Sequence, residues 1–164
     1  MKFKASLDSE AILVTTILFI VFLGASALVL FVIWNKTPGF RVLTIIVVLA
    51  FIAALLNTRI RQYRIEGGSV KILRLFNSIS IRMDLIEDMK IIDGSLLAGS
   101  RRRFGISGFF GYTGTFWNEN FGTMRWLMTR RDKVICLRLK NNEIFFLSPD
   151  HTDQFFSALH AEKM

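Results

Sequence analysis

From Ala11 to Asn35 the chain runs through 25 consecutive positions without a charge, and from Val42 to Thr58 through 17 more. Glu10 and Lys36 bound the first run, Arg41 and Arg59 the second. As helices rising about 1.5 Å per residue, these runs reach about 37 Å and about 25 Å. A hydrocarbon core about 30 Å thick is crossed by ~20 apolar residues, so the first run crosses with tilt to spare. The second crosses if Arg41 and Arg59 extend their guanidiniums to the headgroups. A helix buried in a water-soluble core keeps a polar stripe, and neither run has one. The expectation is two transmembrane helices over 11–34 and 41–58. Ala25-Ser26-Ala27 satisfies the small-residue rule of a signal-peptide cleavage site. The apolar run continues to Trp34, however, and Asp8 and Glu10 dilute the positive flank, so the segment reads as a retained anchor.

Asn35-Lys36-Thr37-Pro38-Gly39-Phe40 joins the two runs. Pro-Gly is a turn signal, and so short a connection demands an antiparallel hairpin with both chain ends on one side. Lys2 and Lys4 precede the hairpin, and Arg59, Arg61, Arg64, Lys71 and Arg74 follow it, whereas the connection holds only Lys36 and Arg41. The excess of positive charge puts both termini in the cytoplasm.

The chain carries a formal charge of +8. Residues 1–58 hold four Lys/Arg and two Asp/Glu, and residues 59–164 hold 17 and 11, so most of the excess belongs to the second part. Held against an anionic leaflet, such a domain gains attraction of ~1 kcal/mol for each Lys or Arg near the surface. Lipid is therefore the expected counterion source, and nucleic acid is not an expected partner. One cysteine, Cys136, excludes an intrachain disulfide and fits a reducing compartment.

Beyond the hairpin, apolar continuity gives way to alternation, the mark of strands. Tyr63 and Ile65 alternate with Arg64 and Glu66, Gly67-Gly68 makes a turn, and Val70 to Phe76 returns. Ile79, Ile81 and Met83 alternate with polar residues, and Met89–Ile92, Met124–Thr129, Val134–Leu139 and Ile144–Leu147 complete about seven strands, the last two joined at Asn141-Asn142. Ser148, Pro149 and Asp150 suit the start of a helix whose Phe155, Phe156 and Leu159 share a face that would plug the open end of a curved sheet. Between Gly94 and Gly122, glycines at 105, 108, 111 and 114 disfavour helix and strand alike, and the expectation is a long ordered loop pinned by its aromatics. The division is a two-helix anchor over 1–59 and a β domain over 60–164.

Arg103-Phe104-Gly105, Gly108, Gly111-Tyr112 and Gly114, followed by Leu147-Ser148-Pro149-Asp150 before a Phe-containing helix, resemble the bacterial pleckstrin-homology (PH-like) domain family. The similarity covers about Tyr63 to Leu159. It implies two roughly orthogonal antiparallel sheets capped at one corner by a C-terminal helix, here beside a transmembrane hairpin of the bacterial inner membrane. It also implies binding or scaffolding rather than catalysis. Phosphoinositide-binding PH domains use a basic loop after the first strand, and the corresponding Glu66-Gly67-Gly68-Ser69 is short and not basic.

Arg101, Arg102 and Arg103, beside Phe104, Phe109 and Phe110, are the candidate contacts for anionic lipid headgroups or a protein partner. The bland alternative is a solvated turn. Phe109, Phe110, Tyr112, Phe116 and Trp117 suit either a pocket or this domain's own core, and core is favoured. Arg59, Arg61 and Arg64 form a juxtamembrane basic cluster. His151 and His160 lack a Cys or carboxylate at ligand spacing, so no metal is assigned. Ser148 lacks a nucleophile-elbow context, and the glycines are neither a phosphate loop nor a dinucleotide fingerprint. No catalytic residue and no cofactor follow. The reading is a membrane-tethered PH-like binding or scaffold module, with room for a homo-oligomer. The alternative is a subunit of an oligomeric pore or transport complex, allowed by the small residues Gly24 to Ala27 but marked by no ionisable residue within either span.

Overall fold

The computed structural model describes residues 1–34 and 38–163. Two long helices, α1 (Ser9–Ile33) and α2 (Pro38–Thr58), precede a β-sandwich closed by α3 (Thr152–Lys163). Both helices are long and apolar enough to cross a membrane, and their apolar windows are unburied by the rest of the chain. They pack together through Phe22 and Phe51, whose rings lie 4.9 Å apart, and Arg41 lies 5.4 Å over the Trp34 ring at the far end. The turn expected over Asn35, Lys36 and Thr37 lies outside the described residues, and Pro38, Gly39 and Phe40 form the first turn of α2.

The first sheet contains β1 (Lys2–Lys4), β2 (Gln62–Glu66), β3 (Ser69–Leu73) and β4 (Ser78–Arg82) in that order. β1 comes from the residues before α1. It pairs antiparallel with β2, Phe3 opposite Tyr63, so the chain starts in the sandwich, leaves it as the helical hairpin and returns to the neighbouring strand. Phe3 rests edge-on against Phe155 of α3, with centroids 5.0 Å apart. Gly67 and Gly68 take φ of +59° and +64° in the β2–β3 turn, the conformation that the expected hairpin needs.

The second sheet runs β5 (Ile86–Asp93), β9 (Lys133–Leu139), β10 (Ile144–Leu147), β8 (Gly122–Met128), β7 (Tyr112–Asn118) and β6 (Arg101–Ser107). Among the described residues ten strands thus replace the expected seven or so, and one pair departs from the antiparallel rule: β10 enters between β9 and β8 and runs parallel to β8, Phe146 beside Trp126. All four residues of β10 are buried, and a strand covered on both faces is continuously apolar, as Ile-Phe-Phe-Leu is.

Two expectations are corrected. The stretch 94–122 is not a loop but chiefly the β6–β7 hairpin, with Gly105 directly opposite Gly114. Their φ values are +115° and +141°, and a Cβ on either would lie 2.2 Å from a carbonyl oxygen of the facing strand. The glycines therefore permit a kinked strand pair instead of interrupting strands, and a bulge between Arg102 and Phe104 adds to the bend. Nor does Ser148 cap α3, which starts at Thr152. The Ser148 hydroxyl instead accepts the amides of Thr129, at 2.8 Å, and Arg130, at 3.2 Å, satisfying donors where β8 ends inside the protein. Asp150 likewise faces away from the helix, accepting Ser6 N and Ser6 Oγ at 2.7 Å each.

The main core lies between the sheets, where Tyr63, Ile65, Val70 and Ile72 meet Leu127, Ile135, Leu137 and Leu147, and α3 closes it with Phe155 and Leu159. A second cluster covers the other face of the larger sheet, where Tyr112, Phe116, Met124, Trp126, Cys136 and Phe146 are joined by Leu97 and by Ala11 of α1. Phe116 and Trp126 stack 3.9 Å apart.

Candidate functional site

Three stretches of the sandwich meet the roots of the two long helices. Asp8 caps α1 by accepting Ala11 N at 2.8 Å, and its Oδ1 also accepts the Tyr112 hydroxyl at 3.2 Å. Ala11 is wholly buried. One turn further on, Thr15 Oγ1 accepts Phe110 N at 2.8 Å and reaches Gly108 O at 3.4 Å, fixing both sides of the β6–β7 turn. Arg131 ion-pairs with Glu10 and lies 4.5 Å over the Tyr112 ring. Burial, with the Asp8 charge next in importance, raises the Tyr112 phenol well above its ordinary value, so it serves as a neutral donor. The first two turns of α1 thus dock one face, Ala11 and Thr15, on the sandwich.

The root of α2 is held by the β3–β4 turn, where Phe76 N donates to Asn57 Oδ1 at 2.9 Å. Phe109, at the tip of the β6–β7 turn, closes an apolar cavity of about 270 Å³ with Leu18, Phe19 and Phe22 of α1 and Phe51 and Leu55 of α2. The same end of the sandwich therefore receives both helices. The β2–β3 turn, at Gly67 and Gly68, lies at the opposite end of the two strands that leave α2 and return to it.

A groove of about 480 Å³ opens at the helix-bearing end, where Thr58, Arg74 and Ile79 face β6–β8. Its lining includes Thr58, the last residue of α2, Arg74 from the β3–β4 turn, and Phe104, Thr113, Thr115 and Arg125 from the larger sheet. Phe104, Thr115, Arg125 and Phe145 are directly opposed across four strands, so their side chains share one face. Arg125 lies 5.3 Å over the Phe145 ring. Arg74 is half-buried, its Nε meets no acceptor among the described residues, and burial lowers its pKa. No carboxylate lines the groove.

The six residues singled out from the sequence do not form one patch. Arg101, Arg102 and Arg103 are exposed on β6, an edge strand, with Arg103 in the bulge. At about 3.3 Å per residue, Arg101 lies about 20 Å along the strand from the helix-bound turn. Phe104, 80% exposed, stands at the lip of the groove. Phe109 and Phe110 sit in the helix junction, where Phe110 is buried. Arg59 and Arg61 are exposed below α2, and Arg64 faces Glu66 at 3.5 Å. Sequence reasoning missed Arg74 and Arg125 as a pair, because they come from different sheets and no spacing joins them. Among the described residues no three His, Cys, Asp or Glu side chains gather as metal ligands, and Cys136 is buried with its thiol pushed up to about 11, chiefly by desolvation.

Two apolar helices beside a two-sheet sandwich with a C-terminal capping helix define a membrane-associated protein with a PH-like domain. The bacterial PH domain family matches residues 61–163, most of the chain, and the protein belongs to that family. No curated protein and no solved structure matches it.

Proposed function

We propose that the protein is a binding module anchored in the bacterial inner membrane by the α1–α2 hairpin, its PH-like domain held on the cytoplasmic side against anionic headgroups. One observation carries this reading: the end of the sandwich that receives both helices also presents Phe76 and Phe104, 70% and 80% exposed, beside unpaired guanidiniums. Exposed aromatics and cations at the root of two apolar helices suit the interfacial layer. The helix lengths support the same placement. Beyond its first turns docked on the sandwich, α1 runs from Thr16 to Ile33, about 27 Å of helix, close to the about 25 Å of Val42 to Thr58 in α2. Arg101, Arg102 and Arg103, further from the helices, add longer-range attraction to the leaflet.

Photo-crosslinking in native membranes tests the reading. A photoreactive residue replacing Phe104 is expected to yield lipid adducts. Adducts to protein alone would replace the lipid with a protein partner, for which the exposed β6 edge is the available surface. Labelling of a cysteine introduced at Gly67 by an impermeant maleimide is expected only from the cytoplasmic face, and labelling from outside overturns the topology.

A further inference from the structure

The geometry points to the groove between Arg74 and Arg125 as a binding site for the phosphate of one anionic phospholipid headgroup, distinct from the exposed arginines of β6. The inference rests on the membrane-facing placement proposed above and assigns it a specific site. Four features converge. The groove carries two arginines and no carboxylate, so its net charge is positive without internal compensation. Neither arginine forms an ion pair among the described residues, whereas Arg131 pairs with Glu10 and Arg130 with Asp132 at the root of α1. A buried guanidinium Nε–H without an acceptor is costly, and a phosphate would supply what the Arg74 Nε lacks. The groove is also amphipathic in the order that a lipid requires. Thr113 and Thr115 line it together with the arginines, while Phe104 forms an apolar lip and Thr58 marks the end of α2, along which acyl chains would descend.

The shape of the fold excludes the obvious alternative. The β2–β3 turn lies at the far end of the strands, and its Glu66 is paired with Lys71 at 3.6 Å and Arg64 at 3.5 Å. A ligand there would face away from the helices. Arg125 lies 5.3 Å over the Phe145 ring and forms no ion pair among the described residues, so its guanidinium keeps its N–H donors for a ligand.

The test uses the full chain in neutral-detergent micelles, titrated with phosphatidylglycerol or phosphatidylcholine, with bound lipid counted by native mass spectrometry. One phosphatidylglycerol is expected to be retained in preference to phosphatidylcholine. Arg74→Gln with Arg125→Gln should weaken that first binding event at least about tenfold, the effect of losing a charge-assisted hydrogen bond. Replacing Arg101, Arg102 and Arg103 by Gln should leave it unchanged. If the Arg74/Arg125 variant retains the lipid as wild type does, the groove is overturned while the membrane-facing reading stands. If wild type shows no preference for phosphatidylglycerol, both fail. Displacement of the lipid by millimolar inorganic phosphate would reassign the groove to free anions and overturn the lipid assignment. Near-UV circular dichroism of the tryptophans reports folding. Should the double variant lose that signal, Arg125→Gln alone, at an exposed side chain, decides the outcome by the same criterion.

Discussion

Thr15 Oγ1 accepts the amide of Phe110 at 2.8 Å, joining the first apolar helix to the β6–β7 turn across 95 positions of sequence. The contact is buried, and with the Asp8–Tyr112 hydrogen bond and the Arg131–Glu10 ion pair it makes the sandwich and the helix one piece. A head coupled in this way cannot swivel freely on α1, so α1 fixes the orientation of the sandwich relative to the helical hairpin.

Thr15→Val should remove the acceptor and strand the Phe110 N–H in a buried place. A cost of about 1–3 kcal/mol is expected, the penalty of an unsatisfied buried donor. Thermal unfolding of the purified protein in micelles checks this, with Thr15→Ser expected to restore the wild-type midpoint. An unchanged midpoint in Thr15→Val would mean that the contact contributes nothing to the joint.

Gly105→Ala and Gly114→Ala should each abolish accumulation of folded protein, because the new methyl would overlap a carbonyl oxygen of the opposite strand at 2.2 Å and both positions have positive φ. Gly24→Ala meets nothing within 4 Å in the middle of α1 and should be silent. Membrane-fraction yield and circular dichroism of the three variants make the comparison.

Phe155→Ala should destabilise the sandwich by about 3–5 kcal/mol, the range for deleting a buried ring. Phe155 is fully buried and meets Phe3 at 5.0 Å and Tyr63 at 6.0 Å, so the loss also loosens β1 from the sheet. Hydrogen exchange at residues 2–4 is expected to accelerate more than exchange in β9. The surface pair Lys133–Asp153, at 2.8 Å but largely exposed, offers the contrast: Lys133→Ala should cost less than about 1 kcal/mol.

Alkaline pH should unfold the domain partly through Tyr63. Its hydroxyl donates to Leu127 O at 2.8 Å and accepts Ser148 N at 3.3 Å, and burial raises its pKa from 10.0 to about 12. A folded-state pKa above the unfolded value means stability that is complete below pH 10 and is lost as pH climbs towards 12. Denaturant titrations over that window should show a shallower decline for Tyr63→Phe than for wild type. Equal slopes would remove Tyr63 from the alkaline transition.

Several strands were legible because their cues are local. Tyr63–Ile65 and Ile79–Ile81 alternate, Gly67-Gly68 and Asn141-Asn142 mark turns, and Phe155 with Leu159 shows the buried face of α3. The β6–β7 hairpin was not legible, since Gly105 and Gly114 read as breakers until each is seen opposite the other. Lys2 and Lys4 read as flanking charge, and nothing in a three-residue stretch announces that it pairs with β2. Phe109 and Phe110 stood out as aromatics in both views, but only folding sends them to the helix roots while Arg101 stays at the other end of β6.

By itself the sequence determined two membrane-length segments and a β-rich basic head of PH-like type. Unbroken apolarity, period-two alternation and turn dipeptides are properties of neighbouring residues, and the solvent reads them one segment at a time. The tertiary structure alone decided that the first two turns of α1 dock one face, Ala11 and Thr15, on the sandwich, that β10 lies parallel to β8, and that Arg74 and Arg125 share a groove. Each of these depends on pairings between residues far apart in the chain, and such pairings exist only once both sheets have closed around the common core.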